Sequence, residues 1–207
     1  MTRRDALFTL GTGLLLGAAL QACRAAEVLT AVPAKPVDPD FVRMWLEAQA
    51  ARPAVIPRAA RIGPVGEPGT PLVVRGRLYR TDGQQTVPDA VIFAYQTDSN
   101  GLYNAPGVRS WRLTGWAKTD AEGSFEFTTI RPAPYPSGDI AAHIHLSADG
   151  PSIARQTIGD VRFADDPLLT TDDRRAAERA GRFTDLCPVT VEHGVERCEI
   201  LFRLTGE

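Results

Sequence analysis

Two histidines one residue apart, His143 and His145 in Ala142-His143-Ile144-His145-Leu146, carry the first chemical signal in the chain. On a strand, alternate side chains share a face, so both imidazoles would point the same way and form half of a metal site. The same alternation also suits two histidines on a polar strand face. The chain has only 3 His and 4 Tyr, so neighbours of these types are informative. Just upstream, Thr129-Ile130-Arg131-Pro132-Ala133-Pro134-Tyr135-Pro136 reads as a strand end passing into a proline-stiffened turn that fixes the direction of Tyr135; a buried core tyrosine is the alternative. Tyr103 closes the turn Asp98-Ser99-Asn100-Gly101-Leu102-Tyr103, again at a strand exit. Two phenolates and two imidazoles suit a hard trivalent iron, because anionic oxygen donors favour Fe(III) and the neutral nitrogens leave the net charge near balance. Zinc more usually takes His, Cys or carboxylates. No Gly-x-Ser-x-Gly elbow, phosphate-binding Gly-Lys-Ser/Thr loop, Gly-x-Gly-x-x-Gly after a strand or Cys-x-x-Cys competes with this reading.

The elements that must position these residues follow from the pattern around them. From Pro71 onward, short runs rich in Val, Ile, Thr and aromatics recur between turns such as Asp82-Gly83, Asn100-Gly101 and Glu122-Gly123. Strands are predicted over residues 72–80, 90–96, 112–118, 124–129, 141–147, 157–163, 189–192 and 197–204, which makes the domain at 70–207 an all-β, antiparallel β-sandwich or barrel. One helix interrupts it at about 171–181, with Thr171 as its cap and Asp172 and Asp173 in its first turn. Residues 23–69 are rich in Ala, Pro and Arg and read as a tether and arm, with one short helix over 41–50 capped by Asp40. Trp45, Trp111 and Trp116 read as core or arm-packing aromatics.

The 207 residues carry 43% hydrophobic and 23% charged side chains and a formal net charge of -2, which excludes a disordered chain and leaves no positive field to hold nucleic acid. Residues 1–22 read as an export signal: Arg3 and Arg4 resemble a twin-arginine motif ahead of an apolar, Gly-rich stretch from Ala6 to Ala22. Leu20-Gln21-Ala22-Cys23 resembles a lipobox, so Cys23 is the expected acylation point and the expected sole contact with a membrane. The protein is then expected outside the cytoplasm, periplasmic or anchored to the envelope. Cys187 and Cys198 flank the turn His193-Gly194, and counting outward sets them nearly opposite each other; an oxidising compartment makes a cross-strand disulfide the expectation, with two buried thiols as the alternative.

Taken together, several segments resemble the intradiol ring-cleavage dioxygenases of the catechol and protocatechuate type. The resemblance runs roughly from Leu72 to Asp173 and includes Val74-Arg75-Gly76-Arg77-Leu78, Pro88-Asp89-Ala90-Val91, residues 96–103, residues 115–127, Thr129 to Pro136 and Ala142-His143-Ile144-His145. It implies a β-sandwich of the intradiol dioxygenase type with an N-terminal arm and one or two short helices. It also implies non-haem Fe(III) on Tyr103, Tyr135, His143 and His145, with Tyr135 leaving when a catecholate chelates the metal and then accepting a substrate proton. The implied reaction opens a small dihydroxy aromatic with O2 between its two hydroxyl-bearing carbons, giving a diacid. The arm could wrap the domain or build a homo-oligomer interface. Three positions depart from the family pattern. Ile140 stands where an arginine stabilises the reacting substrate, Asp160 where a glutamine lies near the intermediate, and Phe93 where a strand acid is common. Arg131 is therefore the expected catalytic cation, with Arg109 or Arg162 as substitutes. The alternatives are an exported module that captures catecholates or ferric complexes without cleavage, and the same iron site running another reaction.

Overall fold

In each long strand, apolar residues alternate with polar ones, and the alternation decides which face is buried. In a computed structural model describing residues 39–104, 107–108 and 110–206, ten strands are found among the described residues: β1 (Ala59–Arg61), β2 (Pro71–Tyr79), β3 (Val91–Gln96), β4 (Thr114–Lys118), β5 (Ser124–Ile130), β6 (His143–Gly150), β7 (Ile153–Phe163), β8 (Leu186–Cys187), β9 (Val189–Glu192) and β10 (Val195–Arg203). They form two five-stranded sheets, ordered β1-β5-β2-β10-β9 and β4-β3-β6-β7-β8. Leu72, Val74, Phe125, Phe127, Ile200 and Phe202 of the first sheet meet Ile92, Ala94, Ile144, Leu146 and Val161 of the second in one buried cluster. Each of these side chains other than Ala94 contributes about 1.5–3 kcal/mol by leaving water. The expected β-sandwich is therefore present. The export signal at 1–22, Cys23 and Arg109 lie outside the described residues.

The sheets are mixed and not wholly antiparallel. β2 runs parallel to β10, β1 to β5 and β7 to β8, while β2/β5, β3/β4, β3/β6, β6/β7 and β9/β10 are antiparallel. Local alternation sets which face a strand buries but not which distant strand lies beside it. Residues 59–61, within the stretch read as arm, are paired into the first sheet through β1.

Two α-helices are found among the described residues, α1 (Pro39–Ala50) and α2 (Thr171–Ala180). The cap of α2 is Thr170, one residue before the expected Thr171. Its hydroxyl accepts from the Asp173 N–H at 3.1 Å and the Asp173 carboxylate accepts from the Thr170 N–H at 2.9 Å, a capping box that satisfies two backbone donors at once. Arg174, Arg175 and Arg179 are exposed along this helix, as a solvated face requires.

Cys187 and Cys198 are bonded, with Cα atoms 5.8 Å apart. The geometry differs from a hairpin staple. Cys198 on β10 is in register with Val189, while Cys187 lies on β8 of the other sheet, so the bond joins the two layers of the sandwich.

Gly76 in β2 lies under the Phe125 ring, where an added Cβ would come within 2.1 Å of a ring carbon. Gly76→Ala should therefore cost about 1–3 kcal/mol in denaturant unfolding, the usual penalty of overpacking. Phe125→Leu in the same chain should return part of that loss, which a purely conformational effect at Gly76 would not allow.

Candidate metal centre

Because Ile144 and Leu146 of β6 point into the core, His143 and His145 point out of the sandwich on the opposite face. The ladder places Tyr95 of β3 and Asp160 of β7 on either side of His145, and Arg162 of β7 opposite His143. Loops then cover this face. The first leaves β3 through a turn built on Asp98, whose carboxylate accepts from the N–H groups of Asn100 at 2.8 Å and Leu102 at 3.0 Å and from Arg112 at 3.1 Å. This turn carries Tyr103. The second, Arg131 to Ala141, carries Tyr135 between two prolines. The two loops are tied together: Ala133 N–H donates to Asp98 O at 3.0 Å, Thr97 Oγ1 donates to Ala133 O at 2.7 Å, and Gly101, at φ +79°, sits so close to the Pro134 carbonyl that a Cβ would lie 2.1 Å from its oxygen. Only glycine meets both demands at that place. Buried Asp166 anchors the entry to β6 by accepting from Ala142 N–H at 2.9 Å.

Four side-chain atoms converge as a result. Tyr103 Oη lies 2.5 Å from Tyr135 Oη and 3.0 Å from His145 Nε2. Tyr135 Oη lies 3.1 Å from His143 Nε2 and 3.4 Å from His145 Nε2, and the two Nε2 atoms are 3.0 Å apart. The protons cannot account for this packing. His143 Nδ1 is 2.7 Å from the Ala141 carbonyl and His145 Nδ1 is 2.8 Å from Asp160 Oδ1, both of them acceptors, so each Nδ1 carries its ring's proton and each Nε2 presents a lone pair. Two phenolic protons can bridge only two of the five close contacts. A cation at the centre satisfies all four atoms, since donors ~2 Å from one ion stand about this far from each other. Two phenol oxygens and two imidazole nitrogens, without a thiol, fit a hard trivalent ion.

The electrostatics agree with the geometry. Burial, with the neighbouring phenol, pushes the Tyr103 hydroxyl far above its ordinary range. Burial also raises Tyr135, although its hydrogen bond with Tyr103 acts the other way. Burial, then His145, lowers His143, which keeps its ring neutral and able to coordinate. Burial acts to raise Asp160, but the hydrogen bond and charge of His145 outweigh it and hold the carboxyl below its ordinary value. Asp160 thus enters as the partner that orients His145. Ligand atoms of His143, His145 and Asp160 do lie within 4.8 Å of one another, yet Asp160 meets His145 at Nδ1, away from the point where the other four atoms converge.

The expected cation is placed elsewhere. Arg131 stacks 3.9 Å over Phe163, a core residue, and bonds Asp165 at 2.7 Å and Glu196 at 3.1 Å, so the structure does not bring it to the Tyr and His cluster. Arg162 is on the correct face and its charge reaches His143 and Asp160, but its guanidinium is held by Asp173 at 2.6 Å and Asp185 at 2.7 Å. The Ile140 side chain is 47% exposed. Phe93 is buried between Tyr95 and Trp116, with ring centroids at 5.7 and 4.7 Å, which suits an apolar residue there.

Tyr95 was not singled out by sequence reasoning. It stacks on His145 at 4.6 Å and on Trp111 at 4.4 Å, and Trp111 in turn packs against Tyr103 and against Phe41 of α1. The signal was present in the alternation Val91-Phe93-Tyr95, which shares one face, but the partner strand had to be known to place that face beside His145.

Comparison with known proteins gives consistent likenesses. Residues 38–186 match the family model described as Dioxygenase. The chain is 32% identical over 120 residues to the protocatechuate 3,4-dioxygenase beta chain of Burkholderia cepacia, covering 52% of this chain and 51% of that one. It is 29% identical over 126 residues to catechol 1,2-dioxygenase 1 of Acinetobacter lwoffii, covering 51% and 40%. The chain spans about half the length of these curated relatives. Among solved structures, the dioxygenase domain of a dioxygenase and carbohydrate-binding fusion from Streptomyces sp. SirexAA-E superposes with a TM-score of 0.56 at 24% identity, covering 75% of this chain and 92% of that one, a likeness of fold.

Gly101→Ala should leave the sandwich folded by circular dichroism yet weaken metal-ion binding about 10- to 100-fold, the range for disturbing residues that hold ligands in place. Because both phenols are raised and therefore protonated before metal binds, loading should release about two protons per ion, and affinity should rise with pH. An indicator dye in weakly buffered solution reads that release; Tyr103→Phe should remove one of the two.

Proposed function

Because the chain belongs to the intradiol ring-cleavage dioxygenase family, we propose that it binds one non-haem ferric ion through Tyr103, Tyr135, His143 and His145. With O2 it opens a small catechol-type ring between the two hydroxyl-bearing carbons. The convergence of those four atoms around one point carries this reading. When bound, the ion supplies Lewis acidity and a template for both catechol oxygens.

The chain's own residues account for the rest. Tyr103 is wedged among Phe41, Tyr95 and Trp111, with ring centroids at 6.2, 5.9 and 5.4 Å, and is fixed in place. Tyr135 is held less tightly. Its turn continues through the exposed residues 136–140, so Tyr135 is the ligand free to swing away when a substrate arrives, and its Oη is the atom that accepts a substrate hydroxyl proton. Asp160 keeps the proton of His145 on Nδ1, leaving Nε2 for coordination. The stack of Tyr95, Trp111 and Phe41 shields one side of the centre from water.

A second reading, capture of a catecholate without cleavage, is favoured by Ile140, which offers no charge at the place where the family carries an arginine. The proposal also sets the protein outside the cytoplasm, tethered through Cys23 or free; the Cys187–Cys198 bond supports an oxidising compartment.

Ferric-loaded protein given catechol under air should take up one O2 per ring and form a muconate-type diacid. His143→Ala should abolish both iron retention and O2 uptake. A catechol-induced change in the visible spectrum with no O2 uptake would replace cleavage by capture.

A further inference from the structure

Charge is distributed around this centre in a way that bears on which ring substituent it admits. Asp160 lies on the same sheet face as His143 and His145 and is bonded to a ligand ring. Its carboxylate meets His145 Nδ1 at 2.8 Å, so a negative charge stands one imidazole ring behind the point where the four ligand atoms converge. Three arginines on the surrounding elements are each bound by two carboxylates: Arg112 by Glu67 and Asp98, Arg131 by Asp165 and Glu196, Arg162 by Asp173 and Asp185. Each of these groups sums to one negative charge. The chain segments beside the ligands add apolar surface, with Leu102 next to Tyr103, Val108 in the same loop and Ile140 three residues before His143, all exposed.

Resting on the ring-cleavage reading above, we propose that the centre discriminates against anionic catechols, and that its substrates carry neutral apolar or cationic ring substituents. Asp160 is the residue that sets this preference: Ile140 adds no opposing charge, and Arg162, on the same face, is tied to Asp173 and Asp185 and offsets the field only in part. A ring carboxylate ~7–10 Å from Asp160, at an effective dielectric of ~20, would bind roughly tenfold or more weakly than the neutral ring. A substituent of positive charge gains from the same field.

The test is anaerobic titration of ferric-loaded protein, reading the visible band as catechol, 3,4-dihydroxybenzoate and 4-(2-aminoethyl)catechol are added. Catechol and the amine should bind at least about tenfold more tightly than the benzoate, and the gap should shrink as salt screens the charge. Asp160→Asn should narrow the ratio between amine and benzoate, a quantity in which a general loosening of the centre cancels. Ile140→Arg, at an exposed position, should narrow the same ratio without touching a ligand. Benzoate binding as tightly as catechol, or a ratio unmoved by both substitutions, overturns the selection while leaving ring cleavage standing. Failure of all three probes to shift the band overturns the ring-cleavage reading and the selection together.

Discussion

Two imidazole lone pairs facing each other at 3.0 Å are the constraint on which the rest of this structure turns. Left to themselves, such rings would rotate apart. Here that escape is closed, because each ring is held from behind, His143 by the Ala141 carbonyl and His145 by Asp160. The rings must also stay where β6 puts them, and β6 cannot shift by one residue without sending Ile144 and Leu146 out of the core. Packing on one side of the strand thus enforces electrostatic tension on the other, and a cation relieves it.

The loops complete what the sheet begins. A strand can deliver two ligands to one face but not four around a point, so the tyrosines must come from outside it. Both arrive on turns whose backbone is stiffened, one by the Asp98 carboxylate and the other by prolines, and Gly101 presses the two turns together. The aromatic stack from His145 through Tyr95 and Trp111 to Phe41 links the centre to α1. Residues read as an arm therefore take part in shaping the site.

Much of this was legible because it is local. Alternation in residues 142–146 gives the facing histidines, and the turn residues around Tyr103 and Tyr135 give their placement. What was not legible depends on pairing between distant strands. Counting back from the β6–β7 turn, where Gly150 pairs with Ile153, would set His145 opposite Ile158; two register shifts in the ladder bring Asp160 there instead. Those bulges turn an apparent departure from the family pattern into the group that orients a ligand. Arg131 misled for a related reason: its nearness in sequence to Tyr135 suggested a catalytic cation, but the strand end delivers it onto Phe163 and into two ion pairs. The disulfide was readable as a pair of cysteines, while its role in joining the two sheets required knowing that β8 leaves the hairpin for the other layer.

The charge around the centre follows from these placements. A neutral amide in place of Asp160 could donate or accept toward His145; a carboxylate can only accept, so it locks the tautomer and adds a full negative charge to the side of the centre that carries Tyr103 and Tyr135. Three anionic groups near one site would favour a ferric over a ferrous ion, and they would also weaken the pull of that ion on an electron-rich ring. Arg162 tempers this, but its own carboxylate partners tie it to the capping box of α2, so its position is set by the helix and not by the substrate. On the proposed reading, the centre would hold Fe(III) firmly first and polarise its ligand second. On the same reading, a ring that is already electron-rich would offset the weaker pull, and a neutral or cationic catechol would meet the local field without repulsion.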